Sequence, residues 1–181
     1  GVLFEEEAGS GLTHEYFSGV LNGLKVQVEE QGYDLTFINT CFEKRKMSYL
    51  EHCRYRNFDG VAIVCCDDFN APDIQELMNS DMPVVTVDYI HQKCTAVLSN
   101  NIQGMEDLVR YIYSKGHRRI AYIHGQKNSY VTKDRITSFF RIMDELKLPV
   151  PDTYIREAHY LETEGTAAQT EALLDLEEPP T

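Results

Sequence analysis

The chain has 181 residues, 43% of them hydrophobic, a length that supports a substantial core in one or two domains. Its 17 basic and 29 acidic residues leave a net charge of −12, which argues against this segment gripping a nucleic acid by itself. No apolar run is long enough to span a bilayer and no leader or lipidation motif is recognised, so a soluble, cytoplasmic protein is expected.

Val2–Phe4 is a short apolar run that reads as a strand, followed by a loop over 5–13. Over 14–31, Phe17, Val20, Leu21, Leu24 and Val28 recur on one helical face, and Gly32 stops the helix. A strand is predicted over 35–38, a helix over 43–56, a strand over Val61–Cys65, a helix over Pro72–Asn79, a strand over Val84–Val87 and another over 95–98. Asp59-Gly60 and Met82-Pro83 are the turns that return the chain from helix to strand. The five cysteines, Cys41, Cys53, Cys65, Cys66 and Cys94, form no C-x-x-C pair and no His/Cys cluster at zinc spacing. Cys65 and Cys66 continue an apolar strand and read as buried thiols in a reducing compartment.

In the next stretch Met105, Leu108, Val109 and Ile112 lie at helical spacing, Asn100 or Asn101 can cap the start, and Gly116 ends the helix. A strand over 119–124 follows, then a helix over 132–147, a loop from Pro149 to Pro151, a strand over 153–158 and a helix over Thr163–Leu174. Strands alternating with helices predict an α/β fold with parallel sheets and right-handed crossovers. The expected organisation is an amino-terminal subdomain over 1–98 and a crossover with part of a second subdomain over 99–181.

Asn100, Asn101 and Gly104, followed by Gly116-His117-Arg118-Arg119-Ile120-Ala121, resemble the D-N-x-x-G and G-H-R-R-I-A wording of the LacI/GalR family of bacterial transcription regulators. Asn100 stands where the family has Asp. The resemblance runs from Val2 to Leu174 and implies a two-lobed, periplasmic-binding-protein-like fold whose second lobe is incomplete here. It implies a ligand-sensing domain that binds a small-molecule effector, a sugar by preference, in a cleft between lobes, and that forms a homodimer. Contact with operator DNA would come from a headpiece absent from this chain, with no membrane association. The alternative is a sugar-binding protein of a transport system.

In open parallel sheets ligands gather outside the carboxyl ends of the strands. The loop after the first strand holds Gly9-Ser10-Gly11, a poor phosphate cradle because Glu5, Glu6 and Glu7 would repel an anion. By resemblance Tyr16 and Phe17 match an aromatic pair that packs on the effector; equally, Phe17 is core and Tyr16 alone reaches the ligand. Asp67 and Asp68 read as solvated loop residues or hydroxyl acceptors. Asp88, at a strand end, offers two acceptor oxygens to vicinal hydroxyls or caps a turn; Tyr89 stands beside it where sugar-binding relatives carry Arg.

Arg135 matches the arginine of the family's R-x-x-G-F/Y segment, with Ser138 replacing the glycine. Its guanidinium can fork onto hydroxyls or a carboxylate, or pair with Asp134. Tyr160 matches a position where relatives stack an aromatic on a sugar, and otherwise is a loop tyrosine. The basic His117-Arg118-Arg119 follows a helix end, where cations are favoured, and so reads as structural. No Walker lysine, G-x-S-x-G elbow or H-E-x-x-H occurs, so neither an enzyme nor a cofactor or metal is expected.

Overall fold

The computed structural model describes residues 1–5, 11–42, 45–127, 129–160 and 162–181. The chain divides into two compact units, Gly1–Leu98 and Ser99–Thr181.

The first unit is built on a four-stranded parallel sheet in the order β1-β4-β5-β6, formed by Val2–Phe4, Val61–Cys65, Val84–Val87 and Thr95–Val97. Ala62 lies level with Val2 on one side and Val85 on the other, so β4 is a central strand, which suits its unbroken apolar sequence. Helix α3, Pro72–Asn79, starts with proline at its first turn, where the missing N–H costs no hydrogen bond, and buries Ile74, Leu77 and Met78. With Leu3, Ile63, Val61, Val84 and residues of α2, Tyr49–Arg56, these form one continuous core. Leu3, Ile63 and Leu77 are fully buried, and each contributes about 1.5–3 kcal/mol through removal of apolar surface from water.

Two expectations fail in this unit. The helix predicted over 43–56 is shorter: Cys41–Phe42 and Arg45–Lys46 pair antiparallel as β2 and β3, and α2 begins only at Tyr49. Its start is fixed by Ser48, whose side chain accepts from the Glu51 N–H while the Glu51 carboxylate accepts from the Ser48 N–H. The strand predicted over 35–38 is reduced to a single parallel bridge between Val2 and Phe37. Helix α1, Glu15–Glu30, buries Phe17, while Val20, Leu21, Leu24 and Val28 are half-covered and Val26 is exposed. The thiols are free, with Cys53 buried, Cys65, Cys66 and Cys94 half-buried and Cys41 exposed.

The second unit has less sheet and more helix. Strands β7, Tyr122–His124, and β8, Ile155–Glu157, pair in parallel. Helices α4, Asn101–Ser114, and α5, Tyr130–Glu145, pack on one another through Met105, Val109, Phe139, Ile142 and Met143. Both strands are shorter than expected: residues 118–121 carry no strand pairing, and Asp152–Tyr154 forms a 3-10 turn ahead of β8. Helix α6, Thr163–Leu174, buries Leu173.

The GHRR sequence is structural. Gly116 adopts φ +96, which a side chain would strain, and the Arg118 guanidinium lies 3.9 Å from the Tyr113 ring centre while donating to the Tyr113 carbonyl. Arg119 donates through Nε to the Pro179 carbonyl at 2.8 Å.

Candidate ligand-binding site

In the first unit the candidate groups lie at the carboxyl ends of β1, β4 and β5. Phe17 is buried, its ring edge-on to Phe4 at 5.2 Å, whereas Tyr16 is 44% exposed. The Tyr16 hydroxyl donates to Asp88 Oδ2 at 2.8 Å across 72 residues of sequence. Asp88 itself has φ +54, a left-handed conformation that asparagine and aspartate tolerate better than other residues with a side chain. The Asp88 N–H donates to the Val97 carbonyl, and the fully buried Thr86 hydroxyl donates to the Tyr89 carbonyl. This kink sends Tyr89 away from the Tyr16–Asp88 pair, onto Phe69, with ring centres 3.8 Å apart and planes 3° from parallel. The two rings close the core at its upper end.

Glu5, directly after β1, is engaged on both oxygens: the Tyr49 hydroxyl donates to Oε1 and the Cys66 thiol to Oε2 at 3.8 Å. Burial pushes the Cys66 thiol up to about 12, with Glu5 adding to the effect. Burial and the Glu5 carboxylate likewise raise Tyr49 above the usual phenol range. Both groups therefore stay protonated as donors. Asp68 closes a local turn, accepting from the Asn70 N–H at 2.8 Å, which leaves its carboxylate a structural task. Glu6, Glu7, Gly9 and Ser10 of the loop read as a poor phosphate cradle lie outside the described residues.

In the second unit the groups come from helix starts and the ends of β7 and β8. Asn100 caps α4 by accepting from the Gln103 N–H, and Ser129 caps α5 by accepting from the Thr132 N–H. Arg135 does not pair with Asp134. Its Nε donates to Asn101 Oδ1 at 2.7 Å, and Asn101, only 9% exposed, also donates to the Ser99 carbonyl. Ser138, where the family carries glycine, is buried and donates to the Ile102 carbonyl at 3.0 Å.

Tyr160 is 37% exposed, and its hydroxyl hydrogen-bonds the Thr132 hydroxyl, which is fully buried. One face of the ring lies so close to Gly125 that a Cβ there would fall among the ring atoms. Tyr122 lies between Tyr160 and Arg135 in electrostatic terms. Burial raises its phenol pKa, the Tyr160 group adds to that, and the Arg135 cation opposes it. Gln126 and His159 hydrogen-bond at 2.7 Å on the same rim.

The structure thus joins Tyr16 to Asp88 in one unit and gives Arg135 and Tyr160 buried partners in the other; Phe17 and Tyr89 pack inward. Sequence reasoning missed Asn101 as a partner of Arg135, together with Thr132 and Gly125. The signal for Gly125 was present, a glycine directly after a strand, whereas the Asn101 and Thr132 bonds span 34 and 28 residues and left no local pattern. Among the described residues no group of three or more His, Cys, Asp or Glu could hold a metal ion, and no helix is long and apolar enough to cross a membrane.

Parallel strands with polar groups gathered at their carboxyl ends define an α/β ligand-binding protein. Residues 6–181 match the family described as periplasmic binding proteins and sugar binding domain of LacI family, and the chain belongs to that family. It is similar to the HTH-type transcriptional repressor PurR of Vibrio parahaemolyticus, with 27% identity over 175 residues, 93% of this chain and 51% of the relative. Among solved structures, a regulatory protein of LacI family from Chloroflexus aggregans has a TM-score of 0.78 at 24% identity, covering 99% of this chain and 65% of that one. A transcriptional regulator CelR–cellobiose complex has a TM-score of 0.73 at 19% identity, covering 96% and 54%. The chain spans about half the length of the curated relatives it matches.

Proposed function

We propose that this chain is the effector-sensing region of a LacI-type transcription regulator and acts as a sensor, not as an enzyme. Its ligand is a small molecule of the sugar class, engaged through Tyr16 and Asp88 in the first unit and Arg135 and Tyr160 in the second. The observation that carries this reading is that Arg135 and Tyr160 are each held by a buried side chain, Asn101 and Thr132, on the opening turns of α4 and α5. Side chains fixed before a ligand arrives lose little freedom on binding it. Family membership and the cellobiose bound by the CelR neighbour support a sugar.

The effector would bind two states of the regulator unequally, and that difference is what changes operator affinity. Operator contact belongs to a helix-turn-helix headpiece outside this chain, and the regulator works as a homodimer in the cytoplasm. The test is a thermal-shift screen of sugars on the full-length protein, followed by operator binding with and without the best hit. Arg135→Ala and Asp88→Ala are expected to abolish the stabilisation; a hit that stabilises both variants as well as the parent overturns the site. The family also includes periplasmic binding proteins. A secretory leader in the gene upstream of Gly1 would favour that second reading, and a helix-turn-helix there the first.

A further inference from the structure

Asn100, Asn101, Gly104, Met105, Tyr122 and Arg135 contribute to the lining of an open pocket of about 380 Å³ in the second unit. Arg135 is the one charged side chain in that lining, and among the described residues no carboxylate lies within ion-pair distance of it. Its only hydrogen-bond partner among them is the neutral amide of Asn101, which takes Nε. The two Nη groups, with four N–H donors in one plane, carry the positive charge unopposed. The start of α4, with its positive helix end, contributes Asn100 and Asn101 to the same lining.

A half-buried cation without a counter-ion is costly unless something supplies one. On the α4–α5 surface Arg110 and Arg141 each contact Glu106 and Glu145, whereas Arg118 and Arg119 are exposed and rest on backbone carbonyls; Arg135 differs from both sets in facing a pocket. We infer that the Arg135 pocket takes an anionic group of the ligand, a carboxylate or a phosphate, received on the Nη edge, and that Asn101 is the positioning residue that fixes the fork. This rests on the reading of Arg135 as a ligand residue and narrows the effector to an acidic or phosphorylated sugar in place of a neutral one. The bond to Nε matters because the guanidinium can rotate about its last torsions, and an acceptor on Nε leaves the Nη edge as the presented face.

The probe is inorganic phosphate, titrated into the full chain at constant ionic strength with chloride as control, read by the 15Nε–1Hε resonance of Arg135. The expected result is a saturable shift with phosphate and none with chloride. In Arg135→Gln saturable phosphate binding, read from backbone amides of the pocket, is lost. In Asn101→Ala binding weakens roughly tenfold, about 1.4 kcal/mol, with the Arg135 charge still present, whereas Asn101→Asp, which places an anion on Nε, competes and also weakens it. A linear or absent phosphate response overturns the anion site, and unchanged affinity in Asn101→Ala overturns the positioning role. Thermal unfolding of each variant separates lost binding from lost folding. Neutral-sugar hits in the thermal-shift screen combined with an absent phosphate response would leave the sensor standing and remove this inference alone.

Discussion

The first unit positions Asp88 by a strand end, and the second positions Arg135 and Tyr160 through side chains at helix starts. In the first, Asp88 is placed by a left-handed kink directly after β5, locked by a backbone bond to β6 and by Thr86. In the second, Arg135 and Tyr160 are placed by side chains, Asn101 and Thr132, on the opening turns of α4 and α5. The chemistry differs accordingly. Glu5, Asp67, Asp68 and Asp88 make the first rim acidic, whereas the groups named on the second are neutral or cationic. A backbone-placed group survives side-chain substitution around it; a side-chain-placed group does not.

The largest test of this contrast lies in the two cores. Leu77→Ala and Ile142→Ala each remove a fully buried side chain and are expected to cost about 2–5 kcal/mol. Amide hydrogen exchange should show lost protection confined to the first unit for Leu77→Ala and to the second for Ile142→Ala. Gly125→Ala comes next: the added methyl meets the Tyr160 ring and is expected to destabilise by about 1–3 kcal/mol, measured by denaturant unfolding. Displacement of the Tyr160 ring should appear as a changed tyrosine signal in near-ultraviolet circular dichroism.

At Asp88 the sign of a glycine substitution is diagnostic. Asp88→Ala keeps a Cβ in the left-handed region, while Asp88→Gly relieves it, so the glycine variant is expected to be more stable than the alanine variant by about 1 kcal/mol. Equal stabilities would mean that the left-handed backbone at this corner carries no strain that glycine relieves.

Alkali should separate the units further. Cys66 is raised from 9.0 to about 12 and Tyr49 is raised as well, chiefly by burial. A raised acid holds its proton more tightly in the folded state, so this stabilisation is complete below pH 9 and is lost as pH rises toward 12. Unfolding monitored across that window is expected to begin in the first unit, and Cys66→Ser, whose hydroxyl does not titrate there, should flatten the loss. The exposed Cys41 should react with iodoacetamide well before Cys66. The smallest effect is expected on the α4–α5 surface, where Glu106→Gln opens the ring of ion pairs with Arg110, Glu145 and Arg141. Exposed pairs are screened, so the change in midpoint should be slight and vanish in high salt.

Much of the fold was legible where burial and local signals agree. Strands Val61–Cys65 and Val84–Val87 and helices Pro72–Asn79 and Thr163–Leu174 have the predicted bounds. An apolar run between a glycine turn and a polar loop leaves few other ways to hide its side chains. Over 41–48 the charged residues mimic a helix face, and the decisive mark was the Ser48-x-x-Glu51 cap. The site was legible only as a neighbourhood. Strand ends pointed to Asp88 and Tyr89, yet the positive φ of Asp88, which no spacing announces, turns Tyr89 inward onto Phe69.

Ser138 and Arg135 lie one helical turn apart on α5, and their partners, Ile102 and Asn101, are neighbours in the chain. Two attachments at that separation resist both sliding and twisting, where one would act as a pivot. A pull on the guanidinium is therefore carried into α4 as well as α5. The serine hydroxyl, in place of glycine's bare Cα, adds this second tie to helices already joined by their apolar seam and by the Arg110–Glu145 and Arg141–Glu106 pairs, and Ser138→Gly would remove that tie alone.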